Sequence, residues 1–213
     1  MPPVAARVSR GVGAVEVLPI EGYRGCTDSI KITIPGTAGK RSGGSSPTIG
    51  VIGRLGGIGA RPEMIGLVSD ADGAIASLAV ALKLADMGNR GDALPGDVII
   101  ATHICPNAPT TLHDRVPFMT SPVDTQGLNA HQVDTEMAAI LSIDTTKGNR
   151  IINQRGFAIS PTVKEGYILK VSQDLLTLME ITTGKRPSVL AITTQDITPY
   201  GNGLHHLNSL MQP

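Results

Sequence analysis

Residues 48–59 read Thr-Ile-Gly-Val-Ile-Gly-Arg-Leu-Gly-Gly-Ile-Gly, a short apolar run that ends abruptly in Arg54 and a cluster of glycines. The same style recurs downstream. Ile65 to Val68 ends at Ser69-Asp70-Ala71-Asp72-Gly73, and Val98 to Ala101 runs into Thr102-His103. Met137 to Ile143 ends at Asp144, and Ser188 to Thr193 is followed by Thr194-Gln195-Asp196. Runs that are apolar throughout, rather than alternating, belong to strands covered on both faces. Between the first and third of them lies Ala74 to Met87, AIASLAVALKLADM, rich in good helix formers. Its spacing puts Ile75, Leu78, Leu82 and Ala85 near one face, with Ser77, Lys83 and Asp86 away from it. Val171 to Thr183 reads as a second amphipathic helix, closed by Gly184. Strands buried on both faces and interleaved with helices predict an α/β fold: a mixed, mostly parallel sheet covered by helices.

The flanking sequence fits around that frame as one α/β domain over residues 14–213, within the size of an ordinary domain. Residues 1–13 carry no pattern and are expected to be disordered. Ala14 to Tyr23 has strand-like alternation, and Ser29 to Pro35 alternates isoleucine with polar residues, a strand with one wet face. Gly36 to Pro47, GTAGKRSGGSSP, reads as a flexible hairpin loop. Leu94 to Asp97 reads as a turn. Ile104 to Asp134 holds four prolines and is expected to be a long excursion with limited helix. Loops of that length are uncommon unless they serve a function. Asn149 to Thr162 suggests an edge strand or hairpin. His205-His206, after Gly201-Asn202-Gly203, suggests a surface turn, with a helical start beyond it.

Composition removes several classes of function. Lys plus Arg and Asp plus Glu both number 18, so the formal net charge is zero. A surface that tracks a polyphosphate backbone is normally basic, which argues against nucleic acid. Aromatic residues are only 2% of the chain, with no Trp, which leaves no base-stacking platform. No apolar run approaches the ~20 residues of a membrane-spanning helix. The two cysteines, Cys26 and Cys105, form no CxxC pair and are too few for a disulfide scaffold. These features predict a cytoplasmic protein with no membrane partner, and the near-zero net charge favours a homo-oligomer.

The polar residues behind the apolar strands are where chemistry is expected. In open α/β sheets, ligands bind outside the carboxyl ends of the strands, because neighbouring loops converge there. The candidates are Arg54, Asp70, Asp72, His103, Cys105, Asp144, Gln195 and Asp196. Asp70 and Asp72 precede a helix, so they suit helix capping as well as ligand binding. His103 and Cys105 share one side of an extended segment and could ligate zinc or another divalent ion. The alternative is a hydrogen-bonded histidine beside a buried free thiol. GRLGGIG has neither the GxGxxG spacing nor the GK[ST] ending of nucleotide loops. No GxSxG elbow or HExxH is present.

Two resemblances follow from particular blocks. IGRLGGIGARPE, LVSDADGAIA, LPGDVIIATHICP, SIDTTKGNRIIN, GFAISPTVKEGYIL and ITTQDITPYGNGL resemble a bacterial and archaeal family known as domain-of-unknown-function family 1177. That similarity covers roughly Leu18 to the end, and family members look longer at both ends, which implies a chain shortened at its C-terminus. The order of elements also resembles, distantly, the co-catalytic zinc aminopeptidases of the glutamyl and tetrahedral aminopeptidase type, whose α/β fold is the phosphorylase/hydrolase-like one. The resemblance implies an aminopeptidase-like fold and a divalent metal, zinc, near Asp70, with Asp72 as the alternative, and Asp144. Arg54 stands where that pattern has a metal-binding His, and Gly56 where it has Asp. ATHICP offers no carboxylate where the pattern has a Glu-Glu pair, one of which is the general base.

These readings imply a metal-dependent hydrolase-like protein acting on a small amide or peptide, with a degenerate peptidase metal site at Asp70, His103 and Asp144. Arg54 and Asp196 are the expected substrate-binding residues. A guanidinium cannot bind a metal, but it suits bidentate capture of a carboxylate. The alternatives are a non-catalytic binder of an anionic small molecule on the same fold, and a scaffold subunit of an oligomer.

Overall fold

A computed structural model describes residues 12–54, 57, 59–60, 64–65, 71–111, 118–144, 157–164, 167–190 and 205–208. The first elements are β1 (Ala14–Gly22), β2 (Gly25–Ile34), a 3-10 turn (Lys40–Ser42) and β3 (Thr48–Gly53). A ribbon of β4 (Gly59–Ala60) and β5 (Met64–Ile65) precedes α1 (Asp72–Asn89) and β6 (Val98–Ile104). A second ribbon, β7 (Thr110–Thr111) with β8 (Phe118–Met119), leads to α2 (Thr125–Gln132) and β9 (Met137–Ile143). The remaining elements are β10 (Ala158–Ile159), β11 (Thr162–Lys164), β12 (Tyr167–Leu169), α3 (Gln173–Thr183), β13 (Ser188–Val189) and β14 (His205–Asn208).

Eight strands form one mixed sheet in the order β1-β2-β6-β3-β9-β14-β11-β12. Its centre, β6-β3-β9-β14, is parallel, and the outer pairings are antiparallel. The continuous apolar runs are these central strands. Ile52, Ile99, Ala101, Met137 and Ile140 cluster on one face, and Val51, Val98, Ile100 and Ile143 on the other with Ala81 of α1. Each fully buried isoleucine contributes about 1.5–3 kcal/mol relative to exposure.

From β3 the chain crosses through α1 to β6 on one side. From β6 it returns past β3, through α2, to β9 on the other side. In open α/β sheets, a reversal of this kind marks the strand ends where ligands bind.

The sheet-facing side of α1 differs from the expected one. Gly73, Ala74, Ser77, Ala81 and Ala85 are buried, while Ile75 is 46% and Leu82 73% exposed. The cause is close approach. A Cβ on Gly53 would fall on the Gly73 carbonyl and the Ser77 hydroxyl, and one on Gly73 on the carbonyls of Arg54 and Ile143. A helix this near the sheet admits only small side chains along its contact line, so volume rather than hydrophobicity selects the face. The larger Val80 and Leu84 flank that line.

Two connections also depart from expectation. Residues 36–47 do not close a hairpin, because β2 pairs with β1 and β6 rather than β3. The segment is pinned instead by Asp97, 1% exposed, whose carboxylate accepts from the Gly36 amide at 2.8 Å and the Arg41 amide at 3.0 Å. His205 and His206 lie not in a turn or helical start but in β14, a parallel neighbour of β9 and an antiparallel one of β11. The helix expected from Val171 is α3, which begins at Gln173, with Gly184 as its left-handed cap, and none of its residues is buried. A cavity of about 390 Å³ separates it from the sheet, lined by Leu141, Ile143, Phe157, Ile159, Leu178 and Met179 among others. Among the described residues, no helix is long and apolar enough to cross a membrane.

Candidate functional site

The three parallel strands at the reversal bring their carboxyl ends to one edge. Ile52 lies beside Ala101 of β6 and beside Ser142 of β9, and Gly53 lies beside Ile143. Continuing these registers places Arg54 between His103 on one side and Asp144 on the other. The ladder itself continues into the site, since the Arg54 amide donates to the Ile143 carbonyl at 2.7 Å. Alternation along a strand puts the Arg54 side chain on the face of Ile52, opposite α1. There its Nε donates to Ser142 Oγ at 3.4 Å, and its Nη1 to Gln132 Oε1, at the end of α2, at 3.2 Å. The strand and the helix together hold the guanidinium in one orientation.

His103 lies one residue inside the end of β6, which extends through Ile104 rather than stopping at Ala101. Its side chain is therefore enclosed, at 5% exposure. Its Nδ1 is 3.0 Å from Thr27 Oγ1, and that hydroxyl donates to the Ile104 carbonyl, also at 3.0 Å. A threonine hydroxyl has a single proton. That proton lies within reach of both the carbonyl and Nδ1, so the His103 tautomer follows from which of them it serves. Burial, and then the positive charge of Arg54, push the His103 pKa down to about 4. The ring is neutral at physiological pH.

The expected site residues fall into two groups. Arg54 follows β3, Asp144 follows β9, and His103 lies near the end of β6. Asp72 is the first residue of α1 and half-buried, in the first turn where a carboxylate favours the helix dipole. Cys105 is a buried free thiol that donates to the Cys26 carbonyl at 3.7 Å, and Gly57 bridges to its backbone. Asp70, Gln195 and Asp196 lie outside the described residues. Among the described residues, no group of three or more His, Cys, Asp or Glu could hold a metal ion. Thr27, Gln132 and Ser142 were not anticipated. Thr27 meets His103 across 76 positions of sequence, and Gln132 meets Arg54 across 78, so no local pattern announces either contact.

A mixed α/β sheet with helices on its faces and polar residues gathered at the reversal of strand order is the aminopeptidase-like class of fold. A mutant of tomato leucine aminopeptidase matches with a TM-score of 0.52 at 10% identity, over 94% of this chain and 48% of that one. Caenorhabditis elegans leucine aminopeptidase matches with a TM-score of 0.50 at 12% identity, over 92% and 52%. The bottromycin maturation enzyme BotP in complex with Mn matches at 0.42 and 13% identity, over 91% and 55%. The chain thus spans about half the length of these enzymes, and at such identity the likeness shows the fold alone. No curated protein matches the sequence. Residues 19–213 match the family described as protein of unknown function (DUF1177), and the chain belongs to that family.

Proposed function

We propose that this chain carries the central sheet of a metal-dependent, hydrolase-like protein acting on a small amide or peptide. In this reading Asp70, His103 and Asp144 hold one divalent ion, with Asp72 as the alternative to Asp70, and zinc suits this mixture of imidazole and carboxylate. Arg54, with Asp196, binds the charged part of the substrate. One observation carries the reading: the registers Ile52 to Ala101 and Gly53 to Ile143, continued past the strand ends, bring His103 and Asp144 alongside Arg54, at the edge where open α/β sheets bind ligands. The donor chemistry of His103 fits, because a neutral imidazole is the form that ligates a metal. A divalent ion held there would polarise a substrate carbonyl. Arg54 orients the substrate's anionic group, and Ser142 and Gln132 orient Arg54.

A second reading, a non-catalytic binder of an anionic small molecule, is favoured by Arg54 itself. A permanent cation between two candidate ligands opposes a metal and attracts an anion. Metal analysis of the purified protein, repeated on Asp144→Asn, separates the two. The hydrolase reading expects bound zinc that is lost in the variant, with the melting temperature nearly unchanged. Metal-free protein that also takes up no added zinc leaves the binder.

A further inference from the structure

Leu175, Leu178 and Met179 form an apolar stripe along one face of α3, yet no residue of that helix is buried. Opposite the stripe, Leu141 and Ile143 project from β9 on the face of the sheet that carries α1, with Ile159 of β10 beside them. The two walls do not meet. Between them lies the cavity of about 390 Å³, within the range of small-molecule pockets. Among the described residues, no ionisable side chain lines it. The threonine hydroxyls of its lining are engaged within α3, Thr182 donating to the Leu178 carbonyl at 2.7 Å and Thr183 to the Met179 carbonyl at 2.6 Å. A water molecule needs roughly two to four polar partners, which these walls do not offer. Phe157 and Leu178, each more than half exposed, leave the cavity open to solvent.

We propose that this cavity binds the aliphatic chain of a small amphiphilic molecule, whose polar end stays in water at the open mouth. Size favours a single chain over a partner protein. A helix roughly 10–12 Å across fills about 400–600 Å³ per turn, so the cavity holds less than one turn. Apart from Phe157 the apolar walls are aliphatic, and Met179 can repack around an irregular chain. The bound chain gives α3 the packing that its apolar stripe lacks, which is the main source of helix stability in proteins. Neither Arg54, His103 nor Asp144 lines the cavity, so its occupancy is independent of the proposed metal site.

The test follows the Met179 methyl signal by NMR in the full chain with labelled methionine methyls, the signal being assigned by its loss in Met179→Leu. Butanol, hexanol and octanol are titrated separately. Each should shift the signal saturably, and affinity should rise about fourfold per methylene, the fold-change for burying one CH₂ group. Leu178→Arg sets a charge at the cavity and should abolish the shift. Ile181→Arg, on the same helix but not among the lining residues, should leave it unchanged. Both positions are more than half exposed, so neither charge is forced into a core, and circular dichroism checks that both variants fold. Shifts that never saturate, or an affinity that ignores chain length, overturn the proposal on the unmodified chain alone. Equal loss in both arginine variants also overturns it, and assigns the binding to the outer surface of α3. A Met179 signal that moves with protein concentration, ignores octanol and stops moving in Leu178→Arg overturns it in favour of a second copy of the chain.

Discussion

Replacing His103 with asparagine should remove about 2 kcal/mol of the stability this chain loses between pH 7 and pH 5. In the unfolded chain His103 titrates near its ordinary 6.5, and in the folded chain near 4, because burial and then Arg54 disfavour the charged ring. As pH falls below 6.5 the unfolded state takes up a proton that the folded state still refuses. Stability is therefore fully present above about 6.5, falls as pH drops toward 4, and loses no more through this group below that. The two pKa values give a loss of about 2 kcal/mol by pH 5, where most carboxylates remain ionised. Asparagine keeps an N–H donor near the position of Nδ1, within reach of Thr27, and does not titrate. Urea unfolding of both proteins at pH 7, 6 and 5 measures the difference. Parallel pH dependence in the two, or a His103 ring that titrates near 6.5 by NMR, would refute the reasoning. Arg54→Met removes only the second cause, so the His103 titration should move upward and stop short of its ordinary value.

Two further outcomes test the fold. Asp97→Ala strips the acceptor from the Gly36 and Arg41 amides, and should cost on the order of 3 kcal/mol in chemical unfolding. A loss below about 1 kcal/mol would show that residues 36–47 stand without that clamp. On α1, Ala81→Leu should destabilise by about 1–3 kcal/mol through overpacking, while Leu82→Ala should stay within about 0.5 kcal/mol. The reverse order of effects would restore the helix face suggested by hydrophobic spacing.

That helix shows what periodicity reads and what it misses. Apolar spacing placed α1 between the right strands, because a run of helix formers between buried strands has few other places to go. It chose the wrong side, since the spacing scores hydrophobicity while the contact with β3 is limited by distance. Gly53 and Gly73 were visible as residues, but that they face each other is a tertiary fact. The central strands were legible for a complementary reason. A strand buried on both faces has no alternation to show, so the runs Thr48 to Ile52, Val98 to Ala101 and Met137 to Ile143 mark these strands, although β6 continues to Ile104. β14 was not legible, because two adjacent histidines and one leucine carry no such mark, and its place beside β9 is set by pairing across more than sixty residues.

The candidate site divides along the same line. Arg54 and Asp144 directly follow β3 and β9, where the break in an apolar run is local, whereas His103 also breaks its run but lies inside β6. What those residues do to one another depends on strand order. With β3 between β6 and β9, the permanent charge of Arg54 falls between a histidine and a carboxylate. It helps keep the ring neutral, while Thr27 meets the ring at Nδ1. A carboxylate at position 54 would act on the ring in the opposite direction, supporting its charged form. One residue at the middle strand end therefore adds to what burial does to the protonation of its neighbour. Chemistry cannot be carried from the fold to this chain without passing through Arg54.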